Sequence, residues 1–493
     1  MHERAPEDPS TEVEAATTPT PASRKPRKGD RLSVLLTSLD RRGPGLGTVE
    51  VPPFGEFRVA LRHGAPGQRV QVEVRKRRGA RLDSRLVEVL EPGPNSADSR
   101  CRHFRFCGGC AWQSVAYRAQ LEALEARVAW VLDEAGVLGQ VEVRAVEGMP
   151  DPWAYRNKMD FTFASRRWVE PQEPENAESA FALGLHAAGQ HSKALDIHEC
   201  SIAFPEAAPI VGTVRRLARA RELEPWDLRS HSGLLRHLVL RKSWASGEIL
   251  ALLVTSERDA VRIDPLVAEI REHHPEISTF VQGVHSRPAS VAACDEEHLL
   301  FGSGHITERL AGLDFELSAQ SFFQTNTVQA ERLIEVVREE LDLQAGSNLL
   351  DLYCGAGTLG LCLMGQGGSL LGLESVSSAV ADARRNAVRN GIETATFVEG
   401  DVLHTLRESL AGHPKIDAIV VDPPRAGLHP KVVPAIADLG VPRLVYVSCN
   451  VESAARDLAV LAERGYRLVG ARPLDLFPHT PHLECVLTVE KIA

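Results

Sequence analysis

A cysteine and a glutamate near the C-terminus are of the types that could together perform covalent chemistry. Cys449 closes the hydrophobic run "LVYVSCN", and Glu484 opens a second one, "ECVLTVEK". A lone cysteine at the end of a strand is usually a small, buried apolar residue. If the two strands are neighbours, however, the same pair supplies a nucleophile and a general base. Both interpretations stay open on these residues alone.

Polar residues also follow the apolar segments that precede this pair. From about residue 324, the strands "NLLDLY", "SLLGLE", "TATFVEGD" and "DAIVVDPP" alternate with helices, which predicts a mostly parallel sheet covered on both faces. Ligands of such sheets bind at the carboxyl ends of the strands. The turn "CGAGTLG" follows the first strand, and Glu374, Asp401 and Asp422 follow the next three. They predict a cofactor site, although Glu374 or Asp401 by itself could be a helix N-cap.

The glycine turn indicates which kind of cofactor this site takes. Its three glycines, Gly355, Gly357 and Gly360, are weak evidence for a dinucleotide site by themselves, and no lysine follows the turn, so a P-loop is excluded. Glu374, at the end of the second strand, can accept hydrogen bonds from ribose hydroxyls. The combination fits S-adenosylmethionine better than a nicotinamide cofactor.

Three cysteines crowd into the stretch "CRHFRFCGGC", and a fourth stands in the later stretch "DIHECSI". Cys101, Cys107, Cys110 and Cys200 together provide four thiolates, which fit either a [4Fe–4S] cluster or a structural zinc ion. His103 offers zinc an alternative ligand. The spacing alone leaves the two metals open.

Composition indicates a globular protein of two to four domains. The chain has 493 residues, with 43% hydrophobic and 25% charged residues. Its net charge of −10 excludes a general polyanion binder, so any surface for nucleic acid must be local. It has neither an apolar stretch of membrane-spanning length nor the apolar core of a signal peptide. We therefore expect a reduced, cytoplasmic protein that does not bind membranes.

Changes of pattern along the chain predict four segments. Residues 1–29 are expected to form a disordered tail, and residues 30–92 a small barrel of five short strands. Residues 93–320 are expected to form a mixed α/β domain with the cysteines, including a helix over 114–136 that could pack on the βαβ domain, residues 321–493. Six basic residues of the barrel predict either a surface for RNA or a solvated hairpin: Arg75, Lys76, Arg77, Arg78, Arg81 and Arg85.

Five motifs, in this order and spacing, resemble the RNA 5-methyluridine methyltransferase family. They are "SFFQTN", "LLDLYCGAGTLG", "DPPRAGL", "YVSCN" and "PHTPHLE", and the resemblance covers roughly residues 30–493. The barrel resembles the RNA-binding TRAM domain of many members. The stretch "CRHFRFCGGC" with the later "HEC" resembles the cysteine set of the iron–sulfur subgroup that acts on 23S ribosomal RNA. The resemblance therefore implies a Rossmann-like, S-adenosylmethionine-dependent methyltransferase domain.

The resemblance also implies roles for single residues. Cys449 matches the family nucleophile and Glu484 the family base, and Asp422 could orient the uracil or hold the cofactor amine. Thr358 and Asp401 stand at positions where relatives can carry Asn. The residues implied around S-adenosylmethionine are Gln324, Tyr353, Thr358, Glu374, Asp401 and Asp422. A [4Fe–4S] cluster, in preference to zinc, is implied on Cys101, Cys107, Cys110 and Cys200.

The function implied is transfer of a methyl group from S-adenosylmethionine to carbon 5 of a uridine in RNA. The chemistry needs a thiol that adds to carbon 6 and a carboxylate that removes the carbon-5 proton. The barrel and the cysteine set favour 23S ribosomal RNA as the substrate of a monomeric enzyme. The alternatives are a transfer-RNA methyltransferase and a catalytically silent RNA-binding or assembly factor.

Overall fold

The computed structural model describes residues 24–174, 176–289, 292–365 and 367–492. Most of the predicted tail, residues 1–23, therefore lies outside the described residues. The chain divides into two compact units, one that ends at Ser96 and one that begins at Ala97. No helix in the described ranges is both long and apolar enough to span a bilayer.

The first unit contains the predicted five-stranded barrel, which is closed in the order β1-β2-β3-β5-β4. Alternate residues of its strands point inward because side chains alternate between the faces of a strand. Val70, Val72 and Val74 are accordingly buried, whereas the basic residues from Arg75 to Arg78 are exposed. The strands are β1 (Arg31–Leu39), β2 (Gly45–Glu50), β3 (Glu56–Leu61), β4 (Arg69–Arg78) and β5 (Arg81–Glu91).

The second unit begins with a helix and a six-stranded sheet in the order β11-β10-β9-β8-β6-β7. β12 and β13 form a separate hairpin that packs on α6 of the last sheet. The elements are α1 (Tyr117–Glu134), β6 (Lys158–Ala164), β7 (Ala182–Gly184), α2 (Ala207–Ala220), β8 (Leu235–Lys242), β9 (Ile249–Thr255), α3 (Ala260–His273), β10 (Ile277–Val284), β11 (Glu296–Phe301), β12 (His305–Leu310) and β13 (Leu313–Ser318).

The last sheet has seven strands in the order β16-β15-β14-β17-β18-β20-β19. The elements are α4 (Thr327–Leu341), β14 (Asn348–Leu352), α5 (Thr358–Leu363), β15 (Ser369–Glu374), α6 (Ser377–Arg389), β16 (Ala395–Glu399), α7 (Val402–Leu410), β17 (Ala418–Val421), α8 (Val432–Asp438), β18 (Arg443–Ser448), α9 (Val451–Glu463), β19 (Tyr466–Leu474) and β20 (Glu484–Lys491). β14 to β18 are parallel, and β20 runs antiparallel between β18 and β19. The predicted α/β fold class is confirmed.

This sheet places five strand ends at one edge, where a ligand can reach them all. Its central strands are mostly apolar because helices cover both faces; all four residues of β17 are buried. Helix α1 packs against α9 and β19, and Arg127 forms an ion pair with Glu452 at 2.8 Å. The helix predicted over 114–136 thus lies against the last sheet.

Candidate active site

The pairing of β18 with β20 brings Cys449 and Glu484 together. Ser448 and Cys485 are partners in this antiparallel ladder, so Cys449 and Glu484 follow side by side where β18 ends and β20 begins. Cys449 is half-buried, and Glu484 is buried at 3% exposure. The two residues lie close enough for the Glu484 carboxylate to raise the pKa of the thiol. The condition for a nucleophile and a base in one site is therefore met.

The loop after β17 closes the third side of this site. It carries Asp422 and Arg425 and is held against α9 by several hydrogen bonds. Asn450 Nδ2 donates to the carbonyl oxygen of Arg425 at 2.8 Å, and Leu428 N donates to Asp457 Oδ2 at 2.8 Å. Asn450, beside the thiol, therefore fixes the position of the loop that carries Arg425.

The pKa values of the carboxyl groups and of the thiol in this site are raised because these groups are desolvated. Burial raises the pKa of Asp422 to about 7, and burial together with the Asp422 charge raises that of Glu484 well above its usual range. Burial, followed by the Glu484 and Asp422 charges, raises the pKa of Cys449 to about 11 against the opposing Arg425 guanidinium. Within the described residues, Glu484 Oε2 is buried and has no hydrogen-bond partner. The thiol is therefore neutral at pH 7, and the glutamate has an oxygen available for a ligand.

Arg425 is a residue that sequence reasoning did not assign to the site. Its guanidinium lies near the Cys449 sulfur and opposes the rise in the pKa of both the thiol and the Glu484 carboxyl. A cation there stabilises the thiolate relative to the thiol. Its position three residues after Asp422, in the quoted "DPPR" motif, is the signal that could have indicated this role.

The cofactor edge is organised by Glu374. Its Oε2 accepts a hydrogen bond from Gly355 N at 3.1 Å, and its Oε1 accepts one from Val376 N at 2.8 Å. The carboxylate thus connects the glycine turn after β14 to the end of β15. Tyr353 has φ 65° and donates its backbone N–H to Leu373 O at 2.9 Å. This conformation, uncommon for a bulky residue, presents the ring at the strand ends.

Asp401 is the N-cap of α7 and accepts a hydrogen bond from Leu403 N at 2.8 Å. The capping interpretation therefore applies to it, and its side chain is exposed. Burial, and then the charges of Asp401, Asp457 and Glu374, raise the pKa of Tyr353 to about 12. The structure thus places Tyr353, Glu374 and Asp401 near one another.

The two other predicted cofactor residues lie at the ends of helices. Thr358 is the first residue of α5, directly after Gly357, whose φ is 76°. A Cβ on Gly357 would approach the Phe397 ring to 2.9 Å, so the turn needs glycine. Gln324 precedes α4 and accepts a hydrogen bond from Asn157 Nδ2 at its backbone oxygen, at 2.9 Å.

A buried carboxyl behind the glycine turn was also missed. Asp351 is fully buried within β14, and its Oδ2 accepts a hydrogen bond from Gly360 N at 2.9 Å. Burial, with smaller contributions from Asp422 and Glu374, raises the pKa of this carboxyl well above its usual range. A Cβ at Gly360 would lie 2.6 Å from Asp351 Oδ2. Asp351 thus holds the start of α5 against the strand.

Comparison with known proteins shows what this arrangement resembles. The model of the tRNA (uracil-5-)-methyltransferase family matches residues 290–492. An uncharacterized RNA methyltransferase of Chlorobaculum tepidum is 38% identical over 434 residues, which are 87% of this chain and 90% of the relative. The chain belongs to the RNA uracil-5 methyltransferase family. The predicted family and the prediction of an enzyme are both confirmed.

Other relatives of this methyltransferase cover nearly its whole length. An uncharacterized RNA methyltransferase of Caldanaerobacter subterraneus is 36% identical over 467 residues, 94% of this chain and 99% of the relative. A crystal structure of the Pyrococcus abyssi tRNA (uracil-54, C5)-methyltransferase with S-adenosyl-L-homocysteine has a TM-score of 0.72 and 26% identity, covering 93% of this chain and 100% of that one. The methyltransferase is thus S-adenosylmethionine-dependent, as predicted.

The four cysteines predicted to bind a cluster, Cys101, Cys107, Cys110 and Cys200, lie in one largely buried region of the methyltransferase. Burial is the main cause that raises the pKa of Cys110, and Cys107, Cys200 and Cys101 each add to it. Backbone amides donate to the sulfurs, as from Gly109 N to Cys107 Sγ at 3.3 Å. Across the described ranges, no group of three or more His, Cys, Asp or Glu residues is arranged to hold a metal ion. What the structure contains is a group of largely desolvated thiols from two distant segments of the chain.

His103 is not available as the alternative zinc ligand. Its Nδ1 contacts Glu170 Oε1 at 2.9 Å, and its Nε2 accepts a hydrogen bond from His198 N at 3.2 Å. Both ring nitrogens therefore already have protein partners. Because an imidazole has no third site for a ligand, His103 has none left for zinc.

The cysteine segment also contacts the loop that leads to Glu484. Ala111 N and Trp112 N donate to the backbone oxygen of His479 at 2.9 and 3.0 Å. The His479 ring stacks on Trp153 with 3.9 Å between the ring centroids. The cysteines thus lie beside the "PHTPHLE" segment, although they are distant from it in the sequence.

Proposed function

We propose that this methyltransferase converts one specific uridine of RNA to 5-methyluridine through a covalent intermediate on Cys449. The observation that carries the proposal is the β18–β20 register, which sets a thiol beside a buried carboxyl with an available oxygen. A silent assembly factor would have no use for a desolvated carboxyl of this kind.

The steps use the groups of this site and balance without a further reagent. The thiol transfers its proton to a neighbouring carboxylate, and Asp422, with a pKa of about 7, can accept it. Cys449 Sγ then adds to carbon 6 of the uracil, carbon 5 attacks the methyl group of the sulfonium, and S-adenosylhomocysteine leaves. Glu484 removes the carbon-5 proton, the double bond re-forms, and the thiolate is released.

S-adenosylmethionine is assigned to the carboxyl ends of β14 to β17. Tyr353 provides an apolar wall, and Glu374 accepts hydrogen bonds from the ribose hydroxyls with its remaining lone pairs. Asp422 lies between this edge and the thiol, which fits a role in orienting either the cofactor amine or the uracil. The other assigned contacts are Gln324, Thr358 and Asp401.

We propose 23S ribosomal RNA as the substrate and transfer RNA as the second candidate. The barrel and the cysteine set favour the ribosomal target because they resemble the iron–sulfur subgroup. The archaeal tRNA (uracil-54, C5)-methyltransferase, however, matches 93% of this chain, so a barrel by itself does not separate the two targets. Base stacking in a duplex makes carbon 6 of the uracil inaccessible. Either RNA must therefore present its uridine unpaired or flipped out.

Cys101, Cys107, Cys110 and Cys200 are proposed to hold a [4Fe–4S] cluster. Buried thiols disfavour their charged form, and a cluster would supply the positive charge that stabilises four thiolates. N–H donors to the sulfurs fit thiolate ligands, and the engaged nitrogens of His103 remove the alternative zinc ligand. Methyl transfer needs no electrons, so the cluster is assigned a structural role beside the loop that carries Glu484.

The decisive experiment is to map 5-methyluridine in RNA from a strain that lacks the gene. Ribosomal and transfer RNA are purified separately and digested, and 5-methyluridine is quantified by mass spectrometry. Loss of one modified position, restored by the wild-type gene but not by Cys449→Ala, supports the proposal and identifies the RNA. An unchanged 5-methyluridine content in both RNAs would refute it.

A further inference from the structure

A small, positively charged cavity is lined by Phe323 and Thr325, the two sequence neighbours of Gln324. Its volume is about 230 Å³, and it is bounded by residues on β6, on β8 and in the segment before α4. Arg156, Lys158 and Arg241 line it together with Phe322 and Thr325. We call it the Arg156 pocket. Its volume is below the roughly 300 Å³ at which sites for free small molecules begin, so it suits one group of a larger ligand.

Two arginines of the Arg156 pocket keep buried donors without a partner. Arg241 is 2% exposed; its Nη2 donates to the backbone oxygen of Ser321, whereas its Nη1 has no hydrogen-bond partner in the described part of the chain. Arg156 Nε is likewise buried and unpartnered there. Unpaired buried donors are costly, so acceptor oxygens of a ligand that reached these arginines would relieve that cost.

The charge of the Arg156 pocket is only partly balanced. Asp160 also lines it, with its Oδ1 3.9 Å from Lys158 Nζ. Asp382 lies within electrostatic reach of Arg241 but forms its own hydrogen bond with Ser321. Three cations facing one lining carboxylate leave a net positive site, so an anion is the ligand that it favours.

Two isolated backbone bridges connect Arg156 to the segment after Cys200 and to the segment that carries Gln324. Arg156 N donates to Ile202 O at 2.8 Å, and Arg156 also forms a bridge with Asn326. His482, two residues before Glu484, has its pKa lowered by burial and then by the charges of Arg425, Arg127 and Arg156. Arg156 of the pocket and Arg425 beside Cys449 thus both lie within electrostatic reach of His482.

We propose that the Arg156 pocket binds a phosphodiester group of the RNA strand that carries the target uridine. The inference rests on the proposed function, which requires an RNA strand at Cys449. Arginine matches the geometry of phosphate oxygens, and lysine adds a point charge. Phe322, 68% exposed at the same pocket, offers a ring on which the adjoining base can stack. The pocket holds the strand in register while the uridine enters the active site.

The variant Lys158→Gln tests the proposal. The control variant is Arg407→Gln, which also removes one positive charge but at an exposed position on α7. RNA binding is measured by filter retention of total RNA from the deletion strain. At 0.1 M salt, Lys158→Gln should weaken retention about fivefold and flatten the salt dependence, because each phosphate contact to a single strand contributes a slope of about 0.7. Lys158→Arg should restore retention, which separates a charge effect from misfolding. Arg407→Gln should match the wild type.

A second measurement identifies the phosphate. Uncharged methylphosphonate linkages are placed one at a time in a fragment around the mapped uridine. Each methylphosphonate linkage and the Lys158→Gln substitution should weaken RNA retention separately. At one linkage the two losses should not add, since both changes remove the same contact. Losses that add at every linkage, or retention by Lys158→Gln equal to that of Arg407→Gln, would overturn the pocket assignment. Filter retention needs no methyl transfer, so an unchanged 5-methyluridine content in RNA from the deletion strain would overturn the proposed function separately.

Discussion

Replacing Glu484 by glutamine should stop the reaction after methyl transfer. Glutamine keeps the size of the buried side chain and its hydrogen-bonding oxygen but cannot remove the carbon-5 proton. Each Glu484→Gln molecule should therefore transfer one methyl group and remain bound through Cys449 to the methylated RNA. Cys449→Ala should bind RNA and cofactor but form no adduct, and the double variant should behave like Cys449→Ala because attack precedes proton removal.

The size of the effect follows from the role and the burial of the carboxyl. General-base catalysis contributes about 10²- to 10⁴-fold, so release of the adduct should slow by that factor. Burial and the Asp422 charge raise the pKa of Glu484, so only the fraction deprotonated at a given pH can act. Release in the wild type should accelerate as pH rises toward that pKa. In Glu484→Gln, the remaining slow release should lose this dependence.

The assay is denaturing electrophoresis of enzyme mixed with labelled RNA and methyl-labelled cofactor in a single turnover. A band containing both labels should accumulate to nearly one per enzyme for Glu484→Gln and stay transient for the wild type. Glu490→Gln, near the other end of β20, is the control and should behave like the wild type. Rapid, adduct-free turnover by Glu484→Gln would refute the base assignment and leave Asp422 as the next candidate.

Three further predictions concern the thiol, the cysteines and the barrel. Arg425→Gln removes the cation that opposes the rise in the pKa of Cys449, so adduct formation at pH 7 should slow severalfold and still rise with pH; an unchanged single-turnover rate would contradict this. Anaerobically purified protein should contain iron and acid-labile sulfide, and the Cys200→Ser variant should lose both. Stoichiometric zinc without iron would refute the assignment of an iron–sulfur cluster. Replacing Lys76 and Arg77 by alanine should weaken RNA binding, more at low salt, with the saturated single-turnover rate unchanged; a slower rate at intact affinity would contradict that role.

Much of the fold could be predicted because its signals are local. Alternation such as Val70, Val72 and Val74 reflects the two faces of a strand and predicted the barrel. Apolar runs alternating with helices predicted the parallel sheet, and parallel strands bring their carboxyl ends to one edge. For that reason the sequence alone was enough to expect Glu374, Asp401 and Asp422 near one another.

Other features depend on contacts between distant segments and could not be predicted. Whether Asp401 caps a helix, and which partners occupy the nitrogens of His103, depends on atoms that only folding brings close. The position of Arg425 depends on the hydrogen bond that Asn450, at the start of α9, donates to its backbone oxygen. The net charge of the Arg156 pocket depends in the same way on three separate segments.

The sequence by itself determined which chemical groups exist and which strand each one follows: a thiol after β18, a carboxyl at the start of β20 and acids after β15 to β17. Only the tertiary structure decided that β20 inserts antiparallel between β18 and β19, in the register that sets Glu484 beside Cys449. Strand pairing across a long connection is not encoded in any local pattern. The raised pKa values of Cys449, Asp422 and Glu484 follow from the same step, because desolvation and neighbouring charge arise only when the strands pack.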